Sequence, residues 1–396
     1  MKILFLSSWY PYPPNNGSKL RIFNLLRGLA QQHQVTLLTF ADQPDIDFEA
    51  PELRSICHEV QIVPWKPYNP HSLRARTGYL SMAPRSVVDT YSLDMQRHIE
   101  QAISDRHYDL VIASQWSMAG YGKCFQGLPS LFEEVELGVL YEKFKQSTSI
   151  WHHLRYGLTW FKHRHYLARL LQNYRACTVV SEQEKLSLAR IAPGYKSIEV
   201  IPNCIDLASY RSTDGSPEPN TIIFTGSFRY HANHDAMVWF LEKVYPLIQA
   251  QVPDVQLTIT GDHEEQSLPD ANNVKLVGHV DDIQSLIKSS WVSIAPIRLG
   301  GGTRLKILEA MALRTPVVST SKGAEGLQVQ HGDNILIADT PEAFAECAVQ
   351  LFKNPGLPNK LANNAYQLVS EKYDWSIAVP RFLNLIEKVS KNKYVN

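Results

Sequence analysis

Trp291-Val292-Ser293-Ile294-Ala295-Pro296-Ile297-Arg298-Leu299-Gly300-Gly301-Gly302-Thr303-Arg304-Leu305-Lys306-Ile307-Leu308-Glu309-Ala310-Met311-Ala312 reads as a strand, a triple-glycine loop and a helix. Three glycines let the backbone come close to a ligand. The first turn of a helix offers unpaired N–H groups and the positive end of the dipole, which suits a phosphate. Arg304 and Lys306 add charge in that turn, and Glu309, three residues beyond Lys306, shares its face. A carboxylate there can accept hydrogen bonds from ribose hydroxyls. Leu305, Leu308 and Ala312 form the apolar stripe that turns inward. The pattern predicts a site for a phosphorylated ligand. It is neither GxxxxGK[ST] nor the GxGxxG of a dinucleotide fold, which argues against ATP and NAD.

Outward from this segment, short apolar runs alternate with helical stretches. In the first half the runs are Ile3–Leu6, Val35–Thr39, Val60–Val63, Leu110–Ala113 and Cys177–Val180. In the second they are Thr221–Thr225, Val255–Thr260, Val274–Val277, Trp291–Ala295 and Pro316–Ser319. Continuous rather than alternating runs belong to parallel strands covered on both faces. Strand–helix–strand alternation implies βαβ crossovers, and two series imply two doubly wound α/β domains. The break falls near Ile201-Pro202-Asn203-Cys204-Ile205-Asp206, and the turn-rich stretch 211–220 reads as a surface linker. A last helix is expected over Trp375–Lys391, with Pro380 near its start.

The 396 residues carry 39 Lys and Arg against 39 Asp and Glu, a balance that argues against a nucleic-acid binder. Cys57, Cys124, Cys177, Cys204 and Cys347 are scattered and form no CxxC pair, as in a reducing compartment without structural zinc. The first apolar run is too short for a signal peptide and reads as a buried strand. No run is long enough to cross a membrane, so a cytoplasmic protein is expected, able to touch a membrane from that side.

Other loops also follow strands. Ser7–Arg21 is a long proline-rich loop leading into a helix that runs to about Gln32, with Asn16-Gly17-Ser18 as an anion site, Ser18 as the alternative N-cap, and Arg21 one turn on. Thr225-Gly226-Ser227-Phe228-Arg229 precedes Asn233, and Arg229 can reach a diphosphate. His231 and His234 lack a third metal ligand. Over Trp151–Arg169, Arg155, Lys162 and Arg169 share one helical face, while Trp151, Leu154, Leu158 and Phe161 line another. Such a basic, aromatic helix either packs on the core or lies on an anionic membrane and grips a lipid diphosphate. Glu133, Glu134 and Glu136 follow a strand-like run and can border a second substrate.

Taken together, these residues resemble glycosyltransferase family 4, the retaining enzymes of the GT-B fold. The resemblance covers nearly the whole chain and is strongest over Leu305–Leu327, where Leu308-Glu309-Ala310-Met311-Ala312 and Thr315-Pro316-Val317-Val318-Ser319 match. Gly17, Val180-Ser181-Glu182, Ile201-Pro202-Asn203, Gly278-His279-Val280-Asp281-Asp282 and Lys372-Tyr373-Asp374-Trp375 also match. It implies two Rossmann-like domains facing across a cleft. Residues 1–205 would form the acceptor side, residues 206–375 would hold a nucleotide-sugar donor, and helix 376–396 would return to the first domain.

By resemblance Glu309 binds the ribose, and Gly278, His279 and Val280 pack on the base. Gly17, Gly226, Gly301, Gly302 and Thr303 also line the donor, and Glu325-Gly326-Leu327 borders the cleft. Arg304, Lys306 and Arg229 would stabilise the departing diphosphate with no metal or other cofactor. The acceptor, a saccharide or lipid-linked saccharide, would meet Glu134, Glu136, Arg155 and Lys162. There are three departures from the family pattern. Gly301 stands where a second glutamate is common, which brings the chain closer to a subgroup with a Gly-Gly-Thr-Arg-Leu-Lys loop. Ser227 and Asn233 alter the usual arginine and lysine clamp, and Cys204 replaces a linker glycine. A nucleotide-sugar epimerase or phosphorylase on the same scaffold, and a binding protein with a decayed donor site, are the competing readings.

Overall fold

The computed structural model describes residues 1–42, 50–135, 137, 150–263, 266–301 and 304–391, with residues 150–154 described by backbone alone. The chain divides into two compact units, Met1–Pro202 with Ala378–Asn396, and Asn203–Ile377.

The first unit is built on seven parallel strands: β1 (Lys2–Ser7), β2 (Gln34–Ala41), β3 (Glu59–Pro64), β4 (Leu110–Ser114), β5 (Ser130–Glu133), β6 (Ala176–Val179) and β7 (Ile198–Val200). Their order is β3-β2-β1-β4-β5-β6-β7. β1 pairs on both sides, Ile3 with Val35 and with Leu110, and residues Ile3–Leu6 are wholly buried. That burial on both faces is why the run contains no polar residue. Leu4, Leu6, Leu38, Val111, Ala113 and Phe132 join one continuous core.

The second unit holds six parallel strands: β8 (Glu218–Thr225), β9 (Gln256–Thr260), β10 (Val274–Gly278), β11 (Ser290–Ala295), β12 (Val317–Ser319) and β13 (Leu336–Ile337), ordered β10-β9-β8-β11-β12-β13. Alternate residues of β8 serve different cores. Ile222 and Phe224 join the cluster of Leu257, Ile259, Val292 and Phe344, while Ile223 joins Ile307, Leu308 and Met311 of the helix Leu305–Ala312. Because all six strands run one way, the loops that follow them gather on one edge.

All ten apolar runs are strands. Of the three further strands, β5 is the strand-like run before Glu134, while β7 and β13, of three and two residues, are too short to show a periodic signal. The stretch 211–220 is not a connection between the units. It lies inside the second, where Thr213 Oγ1 donates to Gln284 Oε1 at 2.9 Å, and residues 218–220 already belong to β8.

The last helix, Trp375–Ser390, crosses from one unit to the other in its first turn. In the first unit it lies hard against the helix Gly17–Ala30: a Cβ on Gly28 would come within 2.5 Å of Val379 Cγ1. Arg381 and Arg175 hold it further, donating to the carbonyls of Val200 at 3.2 Å and Val389 at 3.0 Å. Gly28 therefore sets the distance between two helices. Gly28→Val should cost about 1–3 kcal/mol by overpacking, read as a lower urea midpoint with the secondary structure retained.

Candidate functional site

The loops after β8, β9, β10 and β11 converge at the carboxyl edge of the second sheet. Gly226, after β8, and Gly261, after β9, have φ of +146° and +104°. A Cβ on Gly261 would lie 2.5 Å from the Gly226 carbonyl group, and a Cβ on Gly226 would lie 2.8 Å from Lys306 Nζ. Glycine is required at both positions, by conformation and by space. Gly261 N donates to Gly278 O at 2.7 Å, which brings the end of β10 into the same cluster.

Lys306 stands in the first turn of the helix Leu305–Ala312. Its Nζ donates to Asn233 Oδ1 at 3.0 Å and lies 4.2 Å from the centre of the Phe224 ring. Asn233 is held in turn, with Nδ2 donating to Ser227 O at 2.7 Å. One turn on, Glu309 accepts from the Tyr210 hydroxyl at 3.4 Å. Lys306 and Glu309 are half-buried as residues, but their charged ends are enclosed by protein. Burial, and then the Arg304 guanidinium, lower the Lys306 pKa to about 7 against the partial support of Glu309. Burial raises Glu309, opposed by the Tyr210 hydrogen bond and by Lys306. Lys306 thus carries less charge near neutral pH than its residue type suggests.

Arg304 departs from expectation in another way. Its Nη1 donates to Gly301 O at 2.8 Å, and Nη2 to Gly300 O at 2.9 Å and Leu299 O at 3.3 Å. The guanidinium therefore grips the carbonyls of its own loop and shapes the turn. On the outer side of this loop, Arg298 makes a two-pronged contact with Asp235 at 2.8 and 3.2 Å. Arg229 lies more open and pairs with Asp262 at 2.8 Å. His279 is almost fully exposed, Gly278 and Val280 are half-buried, and Gly302 and Thr303 lie outside the described residues. Lys306, Glu309, Gly226, Gly278, Gly301 and Arg304 thus belong to one edge. Tyr210, Phe224 and Asp262 share that edge although no motif points to them; their neighbourhood is made by strand order.

The remaining expected residues lie in the first unit. Gly17 opens its helix, and the N-cap is Asn16, whose side chain accepts from Lys19 N; Ser18 does not cap. Arg21 is no anion ligand. It is wholly buried, with Nε 2.6 Å from Glu133 Oε1 and Nη1 2.9 Å from Ile201 O, because the helix face carrying it turns into the core. Glu133, also wholly buried, accepts from Ser114 Oγ at 2.7 Å and so belongs to the interior. Glu134 follows β5 with φ +58°, and Gln115 follows β4 with φ +69°; Gln115 Nε2 donates to Glu134 Oε2 at 3.2 Å. Two adjacent non-glycine residues in this region store strain at the carboxyl edge of the sheet, a common property of functional sites. Glu136 lies outside the described residues. Arg155 is exposed, and Lys162 is turned onto the Tyr79 carbonyl at 2.7 Å. His234 Nε2 lies 3.0 Å from Ser267 O, and no metal-ligand cluster occurs among the described residues.

Residues 15–209 match the family model described as Glycosyltransferase Family 4, and residues 219–354 match the model described as Glycosyl transferases group 1. Both halves of the chain are therefore glycosyltransferase domains, and the fold is GT-B. The chain is 31% identical over 164 residues to an uncharacterized 44.6 kDa protein in the cps region of Klebsiella pneumoniae, covering 39% of this chain and 42% of the relative. It is 25% identical over 163 residues to glycosyltransferase 1 domain-containing protein 1 of Xenopus tropicalis, covering 39% and 47%. The matches thus span less than half the length of these relatives. Among solved structures it resembles Anabaena Alr3699/HepE in complex with UDP and glucose, with TM-score 0.65, 16% identity and 98% and 100% coverage. It also resembles the sucrose-phosphate synthase of Thermosynechococcus elongatus, with TM-score 0.69, 18% identity and 99% and 100% coverage.

Enclosure of the Lys306 amine makes stability depend on pH. Between pH 7 and the ordinary lysine value of 10.5, the unfolded chain is protonated at Lys306 and the folded chain largely is not. The unfolded state then binds more protons, so stability rises with pH across this window, by at most about 1.4 kcal/mol per unit. Below the window the cost of the buried charge is felt in full. Lys306→Met should therefore exceed the wild type in stability near pH 6.5, with the gap closing toward about pH 10, as measured by urea unfolding at several pH values.

Proposed function

We propose that this protein moves a sugar from a nucleotide-sugar donor, held by the second unit, to a saccharide or lipid-linked acceptor in polysaccharide synthesis. The observation that carries this reading is the pairing of Lys306 and Glu309 on one helical face at the carboxyl edge of a parallel sheet. The first is an enclosed amine with a single hydrogen bond among the described residues; the second is an enclosed carboxylate. A diphosphate beside Lys306 would supply the counter-charge the amine lacks, and Glu309 is suited to ribose hydroxyls. UDP is the first candidate, since similar structures were solved with it.

In this reading, negative charge grows on the departing diphosphate as the glycosidic bond to the donor breaks. An amine already in place, oriented by Asn233, stabilises that state more than the ground state. Arg304 contributes by holding the glycine loop, and Arg229, paired with Asp262 and open to solvent, stands at the rim. Retention of anomeric configuration and independence from metal are parts of the same proposal. So are a cytoplasmic location, membership of the Gly-Gly-Thr-Arg-Leu-Lys subgroup, and base contacts from Gly278, His279 and Val280. Glu134 and its neighbour Gln115 are the proposed acceptor-side residues of the first unit.

Thermal unfolding with UDP, GDP, ADP and CMP and their sugars tests the donor site. One nucleotide at a hundred times its dissociation constant should stabilise by about 2.7 kcal/mol, and Glu309→Ala should abolish the shift. Absence of a shift with every nucleotide would remove the proposal. With a donor in hand, Lys306→Met should lower kcat by about 10²-fold or more, with a smaller effect on donor KM. Nucleotide binding should also take up a proton near pH 8, measurable by calorimetry in buffers of different ionisation heat.

A further inference from the structure

The segment between β3 and the helix Leu93–Asp105 buries an aspartate while several of its large apolar side chains are exposed. It contains two short helices, Leu73–Thr77 and Arg85–Thr90. Asp89 is wholly buried and accepts from Asn69 N at 2.8 Å, from Lys66 Nζ at 3.3 Å and from the Ser72 hydroxyl. Arg85 is a second internal staple. Its Nε donates to Ala75 O at 2.9 Å, its Nη2 to Pro70 O at 2.6 Å and its Nη1 to the Tyr79 hydroxyl at 2.8 Å, and its guanidinium lies 4.0 Å over the Tyr79 ring. The turn thus has a defined shape, yet Leu73 is 80% exposed, Tyr79 61% and Leu80 95%.

The helix Ile150–Leu171 lies beside this turn. Lys162 Nζ reaches Tyr79 O at 2.7 Å and Gly78 O at 3.4 Å. One face of the helix is in the core through Leu167, Leu170 and Leu171. Leu158 and Phe161, on another face, are 57% and 46% exposed. The charges are segregated as well. Residues 65–92 and 150–169 together hold eight Lys and Arg and a single acidic residue, the buried Asp89, in a chain whose charges otherwise balance. Arg74, Arg76, Arg155 and Arg164 are exposed and make no ion pair with a described residue.

We propose that this face, formed by the turn around Leu73–Leu80 and the exposed side of the helix Ile150–Leu171, docks the protein on an anionic phospholipid membrane. Leu80, Leu73 and Phe161 would enter the headgroup boundary, and the four arginines would meet lipid phosphates. Apolar side chains on a rigid turn beside guanidinium groups match both layers of such an interface. A protein partner of the same affinity would need surface complementarity, whereas isolated protruding side chains such as Leu80 suit a deformable surface. No described helix is long and apolar enough to cross a membrane, so contact would be from one side. The surface belongs to the first unit and the proposed donor residues to the second, and its test does not depend on catalysis.

Co-sedimentation of the full chain with phosphatidylcholine vesicles, with and without phosphatidylglycerol, decides the matter. Binding should require the anionic lipid and weaken with salt. Arg74→Glu with Arg76→Glu should reduce partitioning by roughly thirtyfold or more, at about fivefold for each basic residue lost. Leu80→Glu, at a position almost free of contacts, should reduce it by on the order of tenfold. Thermal midpoints and nucleotide-induced shifts should stay as in the wild type, which separates failure of this surface from failure of the donor site. Absence of vesicle binding, equal binding to neutral vesicles, or binding unchanged by these substitutions would overturn the proposal. So would binding to a soluble polyanion such as heparin that competes fully with vesicles and is indifferent to Leu80→Glu.

Discussion

An amine enclosed by protein, with one hydrogen bond to Asn233 and the face of Phe224 beneath it, is the constraint on which the second unit is arranged. Burial opposes its charge, and Arg304 opposes it further. The surrounding features make this position possible. Gly226 leaves room for Nζ, Gly261 lets the β9 loop touch the β8 loop, and Ser227 O fixes the Asn233 amide so that its oxygen faces the lysine. On the reading proposed above, a ligand bearing negative charge beside Lys306 would offset that opposition. Enclosure of the amine is thus a cost to the fold, and in the proposed function it becomes an advantage in binding.

The basic residues of the two units are used differently. In the first unit Lys19 and Arg21 are buried against Asp42 and Glu133, at 2.9 and 2.6 Å, where removal of one partner would leave an uncompensated charge. In the second unit the Arg304 guanidinium is bound to carbonyls of its own loop, while the Lys306 amine has one hydrogen bond among the described residues. Elsewhere on the first unit the arginines of the Leu73–Thr90 segment divide again: Arg85 is an internal staple, while Arg74 and Arg76 face solvent. Residue type alone does not distinguish these roles, since each arginine is the same cation in the sequence.

The parallel-sheet architecture was legible because runs such as Ile3–Leu6, Leu110–Ala113 and Ile222–Phe224 are wholly buried and apolar without interruption. The glycine loop and the helix after it were legible because close approach, a helix start and charged residues at fixed spacing coincide over a few positions. β13, with two residues, left no periodic trace, and the stretch 211–220 looked like a linker because exposed turns have the same composition wherever they lie. Asn16 rather than Ser18 caps the first helix, since both side chains can accept the bond and only the backbone path selects one.

What the sequence determined by itself was local: which runs are strands, where the helix after the glycine loop begins, and that Lys306 and Glu309 share its face. Tertiary structure decided everything that depends on strand order. It set Phe224 and Asn233 under Lys306, Tyr210 against Glu309, and Arg21 against Glu133 across more than a hundred residues of chain. It also turned Leu80 to solvent and Asp89 inward, reversing what their hydropathy predicts. The physical reason is that periodicity reports only which way a residue points within its own element. The neighbours that fix its charge, exposure and partners arrive from elements distant in sequence, brought together by the packing of the sheet.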